Sequence, residues 1–441
     1  MAEPIAELER DLDSFDAKKR RKALETAAGL LKSGAVNAAA RSDIHNLHFH
    51  SFNSFNYRGF SPSRIAWEAR KGGFAAAGIV DFDVLSGLEE FYGAGELLGL
   101  RTCVSMETRV RVRQYAGVEL NSPGEPGVSY FMGVGFPRED PGPALRSFQG
   151  GLQATSQARN RALAERVNGL LDPVRLDWQE DVLPLTPSAN PTERHMCLAY
   201  ARKAAALFPD RAELAAFWAK KLGTPVPDKD LPEGVDLILL IRAKTMKGAR
   251  MPEGENAFPW LEDAANYVRG AGALPAHSWY DGTTGGEQDI ERLLDTFMAA
   301  GCAVMNIILD RCYTPGVKDA RVAALHRLVE ACNARNLPIV VGTEMNKHGQ
   351  KLVDSFETAE LAPLLPSFLN GAFIVYAHAM LKRHTELGYL DEWAVRRFPD
   401  LAGRNAFFGK LGHLLKPGGE SVLAGCGHDP TPDAVMGRAV E

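Results

Sequence analysis

"DIHNLHFHSFNSFN", residues 43–56, places His45, His48 and His50, three of the chain's 11 histidines, in one short stretch. Apolar Ile44, Leu47 and Phe49 are interleaved with polar residues, the pattern of a short strand that runs into a turn-rich segment. Residues two apart on a strand share a face, so His48 and His50 project together and His45 falls outside their register. Two neighbouring imidazoles suit a divalent cation. The same pair also reads as a polar strand face that holds none.

Outward from this strand the chain alternates. "SPSRIAWEARKGG" (61–73) has Ser61 as N-cap, Pro62 in the first turn and glycines at its end, which predicts a helix. "FAAAGIVDFD" (74–83) reads as a strand, "VLSGLEEFYGAGELLG" (84–99) as a helix, and "LRTCVSMETRV" (100–110) and "GVSYFMGVGF" (127–136) as strands. From 141 the pattern turns helical, with prolines at 184, 187, 191, 225 and 227. Strand–helix alternation resumes with "ALPAHSW" (273–279), "AVMNIILD" (303–310), "LPIVVGTEM" (337–345) and "GAFIVYAHA" (371–379). These seven or eight strands predict an α/β fold: a distorted βα barrel of about seven parallel strands with a helical insertion. The expected division is an N-terminal helical arm (1–42), the first part of the barrel (43–140), the insertion or cap (141–260), the second part of the barrel (261–385) and a helical tail (386–441).

The 441 residues are 45% hydrophobic and 24% charged, ordinary for a globular protein, and the net charge of −5 gives no nucleic-acid footprint. The richest apolar window, "VDLILLI" (235–241), is too short to cross a membrane. Six cysteines without CxxC spacing read as reduced thiols, so a cytoplasmic location is expected. "EGEN" (253–256) lacks the pattern of a phosphate loop.

In a βα barrel the chemistry sits where strands end. Those ends carry His48 and His50, Asp81 and Asp83, Glu107, His277, Asp310, Glu344 with Asn346 and His348, and His378. Converging imidazoles and carboxylates suit zinc, manganese or iron, and several together suit a two-metal hydrolytic site. Several of these residues have plainer roles open to them. Asp83 and Asp310 suit helix caps or turns, His45 and His326 suit structural places, and His378 and His384 suit satisfied histidines. Trp279 and Tyr280 either stack on a substrate ring or close the barrel mouth.

The ordered series resembles the PHP (polymerase and histidinol phosphatase) family of metal-dependent phosphoesterases. The family pattern LHxHSxxSDG meets "LHFHSFNSFN" here, and SPxE…A…G with TDHDTxxG meets "SPSRIAWEARKGGFAAAGIVDFDVLSG". A strand ending in GxE meets "VSMET", one ending in AH meets "PAHS", and GSDxH meets "GTEMNKH". The resemblance implies a metal set of His48, His50, Glu107, His277 and Glu344. It also implies one or two divalent ions and a small phosphorylated substrate; the charge and the short apolar windows lead to the expectation of no nucleic-acid and no membrane partner. In one branch of the family an insert supplies phosphate-binding side chains, and "ARNRALAERV" and "NPTERHMCLAY" put Arg161 and His195 in the matching places. Arg161 equally suits a solvated helix and His195 local packing. Asp81, Arg161 and His195 complete the expected catalytic set, Asp81 as a carboxylate that orients a ligand histidine.

Three departures stand out: Phe55 for the acid of SDG, Phe82 for the histidine of TDH, and Glu344-x-Asn346 for Asp-x-His. Phenylalanine cannot ligate a cation, so one metal position is expected to be lost to apolar side chains. Two further readings follow from these departures. One is a barrel of changed chemistry (amide or lactone hydrolysis, isomerisation or an aldol-type step), to be preferred if Arg161 and His195 face away from the cleft. The other is a degenerate, non-catalytic barrel.

Overall fold

The computed structural model describes residues 2–249, 257–313 and 318–440, so "EGEN" lies outside the described residues. Seven strands form one sheet in sequential order: β1 (His45–Phe49), β2 (Ala76–Phe82), β3 (Arg101–Arg111), β4 (Val128–Val134), β5 (Leu274–Trp279), β6 (Val304–Ile308) and β7 (Ile339–Gly342). The β1–β2–β3 and β5–β6–β7 pairings are parallel, whereas β4 runs antiparallel to both neighbours. The α/β barrel is therefore as expected except for this one strand. Its direction has a local cause: only a short 3-10 turn, Arg113–Tyr115, stands between β3 and β4. A parallel return usually runs through a crossover helix, and residues 112–127 hold none.

The sheet nearly closes on itself. Phe49 bridges Glu344, the His50 amide donates to the Glu344 carbonyl at 2.8 Å, and the Glu344 amide donates to the His48 carbonyl at 2.8 Å. Gly342 makes this seam possible, because a Cβ there would lie 2.4–2.5 Å from Asn46 Oδ1, His48 Cβ and the His48 amide nitrogen. The helix Pro62–Lys71 is punctuated as its sequence predicts, with the Ser61 side chain accepting from the Arg64 amide and Gly72 at the C-cap.

"GAFIVYAHA" is not a strand. It lies in the helix Leu365–Thr385, whose residues 371–381 are all buried. A helix that is apolar all round has no face-to-face periodicity to betray it. Gly371 lets it sit directly on the β7 backbone, since a Cβ there would meet the Ile339 carbonyl. His378, on this helix, accepts from the Tyr389 amide and bonds the Gly272 carbonyl, a satisfied structural histidine.

Two hydrophobic clusters are separate. One surrounds the barrel; the other joins the helices Pro143–Leu171, Glu193–Leu207, Arg211–Leu222 and Val235–Ile241 around Val167, Tyr200, Trp218 and Leu237. Among the described residues no helix is long and apolar enough to cross a membrane.

Candidate metal centre

His48, His50 and Glu107 meet inside the barrel, with one ligand atom from each lying within 4.8 Å of the others. His48 and His50 come from β1 and its C-terminal end, and Glu107 comes from β3. All three are at most 1% exposed. Glu107 Oε2 lies 3.9 Å from His48 Nε2 and 3.7 Å from His50 Nε2.

The surrounding hydrogen bonds set the tautomers. Ser54 donates its one hydroxyl hydrogen to Asp81 Oδ1 at 2.7 Å, so at 3.1 Å from His50 Nδ1 its oxygen can only accept. His50 therefore carries its proton on Nδ1 and turns the Nε2 lone pair toward Glu107. His48 has the same arrangement: its Nδ1 lies 3.2 Å from Asn306 Oδ1, while the Asn306 amide donates to Ser278 Oγ. His48 Nε2, His50 Nε2 and Glu107 Oε1 are buried and lack hydrogen-bond partners. Leaving three such atoms unsatisfied costs about 1–3 kcal/mol each, and a shared cation removes that cost. Two neutral imidazoles and a carboxylate, each histidine oriented through its other nitrogen, make a fitting donor set for zinc or a related ion.

Electrostatics agree with this fit. Burial, then the neighbouring His48, pushes His50 down to about 3, and burial also lowers His48, so both imidazoles are neutral, the state in which an imidazole ligates. Burial and the nearby Glu344 raise the Glu107 carboxyl well above its ordinary value. A cation at the three ligand atoms would reverse that rise.

Glu344 is not in the cluster. Its backbone has a φ of 61°, in the left-handed region, and its carboxylate turns to Arg311, whose Nη2 lies 3.3 and 3.4 Å from the two oxygens. Burial alone would raise its pKa; Arg311, then His48, His50 and Arg194, bring it down to about 2.

His277 is not in the cluster either. Ser278 and Tyr280 face inward, so by strand alternation His277 faces out, where its ring stacks on Phe297 with centroids 3.7 Å apart. Asp81 does not face the cleft. It accepts from the Ser51 amide, the Ser51 hydroxyl and Ser54, and so acts on His50 through a hydroxyl. Phe82 stacks on His50 at 4.8 Å, and Phe55 meets His195 edge-on at 5.1 Å.

Beside the cluster opens a cleft of about 600 Å³. Six basic side chains line it, Arg109, Arg159, Arg194, Arg242, Lys247 and Arg311, against four acidic ones among the described residues. This excess stands out in a chain of net charge −5. Phe82, Tyr130 and Tyr280 form a row of rings with centroids 6.3 and 5.7 Å apart, and Arg311 lies 3.9 Å over Tyr280.

Neither of the expected insert residues lines this cleft. Arg161 is exposed and lies over Trp178, because its neighbours Ser156, Arg159 and Asn160 take the cleft-facing side of the helix. His195 is buried, its Nδ1 accepts from the Thr192 amide in a capping box, and burial pushes it down to about 3. One residue earlier, Arg194 faces the cleft and donates to Asn346 Oδ1 at 3.0 Å. Burial, then the adjacent Arg242, lowers it to about 10. His348 is exposed on the rim against Tyr57, and His45 stacks on Phe356, away from the cluster.

No protein-family model and no curated protein matches this sequence. Two solved structures are similar in part. One is an amidohydrolase from Chromobacterium violaceum with bound sulfate and no metal, at 18% identity over 69% of this chain and 88% of that one, with a TM-score of 0.46. The other, from Bifidobacterium adolescentis and provisionally named a metal-dependent phosphoesterase, has 15% identity over 75% of this chain and 98% of that one, also at 0.46. The barrel assignment rests on this chain's own strand pairing.

Proposed function

We propose that this chain is a metal-dependent hydrolase that cleaves a small phosphate ester. The observation that carries the reading is the juxtaposition of three buried, partnerless ligand atoms with a cleft rich in guanidinium groups. His48, His50 and Glu107 would hold a divalent ion. Such an ion supplies Lewis acidity for phosphoryl oxygens and acidifies water. Arg159 and Arg194 grip the phosphate, since planar guanidinium groups match its oxygens two at a time. Asp81 and Asn306 keep the two imidazoles in the ligating tautomer. Phe82 keeps the wall beside His50 dry.

Hydrolysis of a neutral amide or lactone is the second reading. Phe82 against His50, and the absence of Arg161 and His195 from the cleft lining, favour it. A neutral substrate, however, has no use for the excess of basic over acidic side chains in the cleft, and Arg159 and Arg194 take the places of the two that turn away. Elemental analysis of protein purified without added metal, with turnover on phosphate-ester, amide and lactone panels, separates the two. The phosphoesterase reading expects bound metal and chelator-sensitive phosphate release. Metal-free protein, or activity confined to the lactone and amide panels, contradicts it.

A further inference from the structure

The acidic groups around the cluster fall into two sets. Glu107 Oε1 is orphaned beside the two partnerless imidazole nitrogens. Glu344 and Asp310 are not orphaned. Arg311 reaches both oxygens of Glu344, and the Gln350 amide donates to Glu344 Oε2 at 3.3 Å and to Asp310 Oδ2 at 3.0 Å. Arg311 follows β6 directly, in the turn Leu309–Tyr313, and the Tyr280 ring beneath it fixes its plane. One set of ligand atoms thus lacks partners, and the neighbouring set is paired with the guanidinium of Arg311.

We propose that the guanidinium of Arg311 stands where a second metal ion would sit, so that the centre takes one divalent ion per chain. This rests on the metal-dependent reading above. A guanidinium within hydrogen-bond distance of both Glu344 oxygens occupies the lone pairs a second ion would need, and its charge opposes that ion's approach. Arg311 keeps a fixed positive charge in the cleft at every pH the protein meets, which a dissociable ion does not. Phe82 stacked on His50 and Asn346 held by Arg194 offer no imidazole or carboxylate at the two positions where the family pattern has one.

The test is calorimetric titration of chelator-stripped protein with Zn²⁺, repeated with Mn²⁺, on the wild type, Arg311→Lys and Arg311→Met. The wild type and Arg311→Lys are expected to take up one equivalent. Arg311→Met, which frees Glu344, is expected to take up a second, and adding Glu344→Gln should abolish it. Two equivalents in the wild type overturn the proposal, as does a folded Arg311→Met protein that still takes only one. If Arg311→Met fails to fold, as judged by its thermal melt, the wild-type stoichiometry decides alone. No uptake by the wild type removes the metal-dependent reading itself, a different result from either of these.

Discussion

Ser54 has one hydroxyl hydrogen, and its use by Asp81 decides which nitrogen of His50 can hold an ion. Ser54→Ala should therefore weaken metal binding roughly 10–100-fold with little change in the thermal melt, as loss of an orienting partner does elsewhere. Glu107→Gln, which removes a ligand, should cost more than that; equilibrium titration of both variants checks the order. Much of this site is legible in the amino-acid sequence. The paired imidazoles of "LHFH" and the strand-end Glu107 are a local pattern, and the parity of β1 alone separates His48 and His50 from His45. Facing is what stays hidden. His277 lies one residue out of phase with Ser278 and Tyr280, and Arg161 lies round the helix from Arg159. His195 spends its nitrogen on a helix cap while Arg194 takes the cleft. Each is a shift of one or two positions, invisible unless the exact register of the element is known. Asn306 and Arg311 carry no motif of their own, and Ser54 stands in the serine position of SDG without a role that the pattern assigns it.

The seam between β1 and β7 depends on a residue with no side chain. Gly342→Ala would press a methyl against Asn46 and His48, so it should lower stability by about 1–3 kcal/mol and weaken metal binding with it. Denaturant midpoints and titration on the same sample check both effects. The loop after β5 is held differently: the buried Glu287 carboxylate accepts from the amides of Tyr280, Asp281 and Gly282 at 2.7, 3.2 and 3.0 Å. Burial outweighs these bonds and pushes its pKa from 4.5 up to about 7. Between those values the folded state binds more protons than the unfolded one, so this group's contribution is full below about 4.5 and is lost as pH rises through about 7. Across that window the wild type should lose on the order of 3 kcal/mol from this site, and Glu287→Gln should flatten the loss. Urea midpoints at about pH 5 and about pH 8 for both proteins test the sign; a wild type that gains stability relative to the variant on going to the higher pH contradicts it. The seven strands are legible as apolar runs bounded by turn residues. The reversal of β4 shows in the sequence only as the lack of a crossover helix before it. The helix Leu365–Thr385 is hidden from periodicity because every side of its centre is buried.

In the proposed reading the barrel supplies ligands for an ion and the insertion most of the basic side chains for an anion: Arg159, Arg194, Arg242 and Lys247 all come from it. Arg194→Ala should raise the KM for an anionic substrate roughly 10–100-fold while leaving metal uptake unchanged, because it touches Asn346 and not the ligands. A steady-state comparison alongside the titration separates these effects. The helical character of this insertion is plain in the sequence, but its orientation over the cleft is not, since facing is set by long-range packing against a separate core. Substrate, charge and stoichiometry all turn on an ion at His48, His50 and Glu107. Crystals soaked in a zinc salt and measured by anomalous scattering at the zinc edge address it directly. The prediction is a peak at about 2.0–2.2 Å from His48 Nε2, His50 Nε2 and a Glu107 oxygen. A map with zinc bound elsewhere and nothing between these three atoms would contradict it.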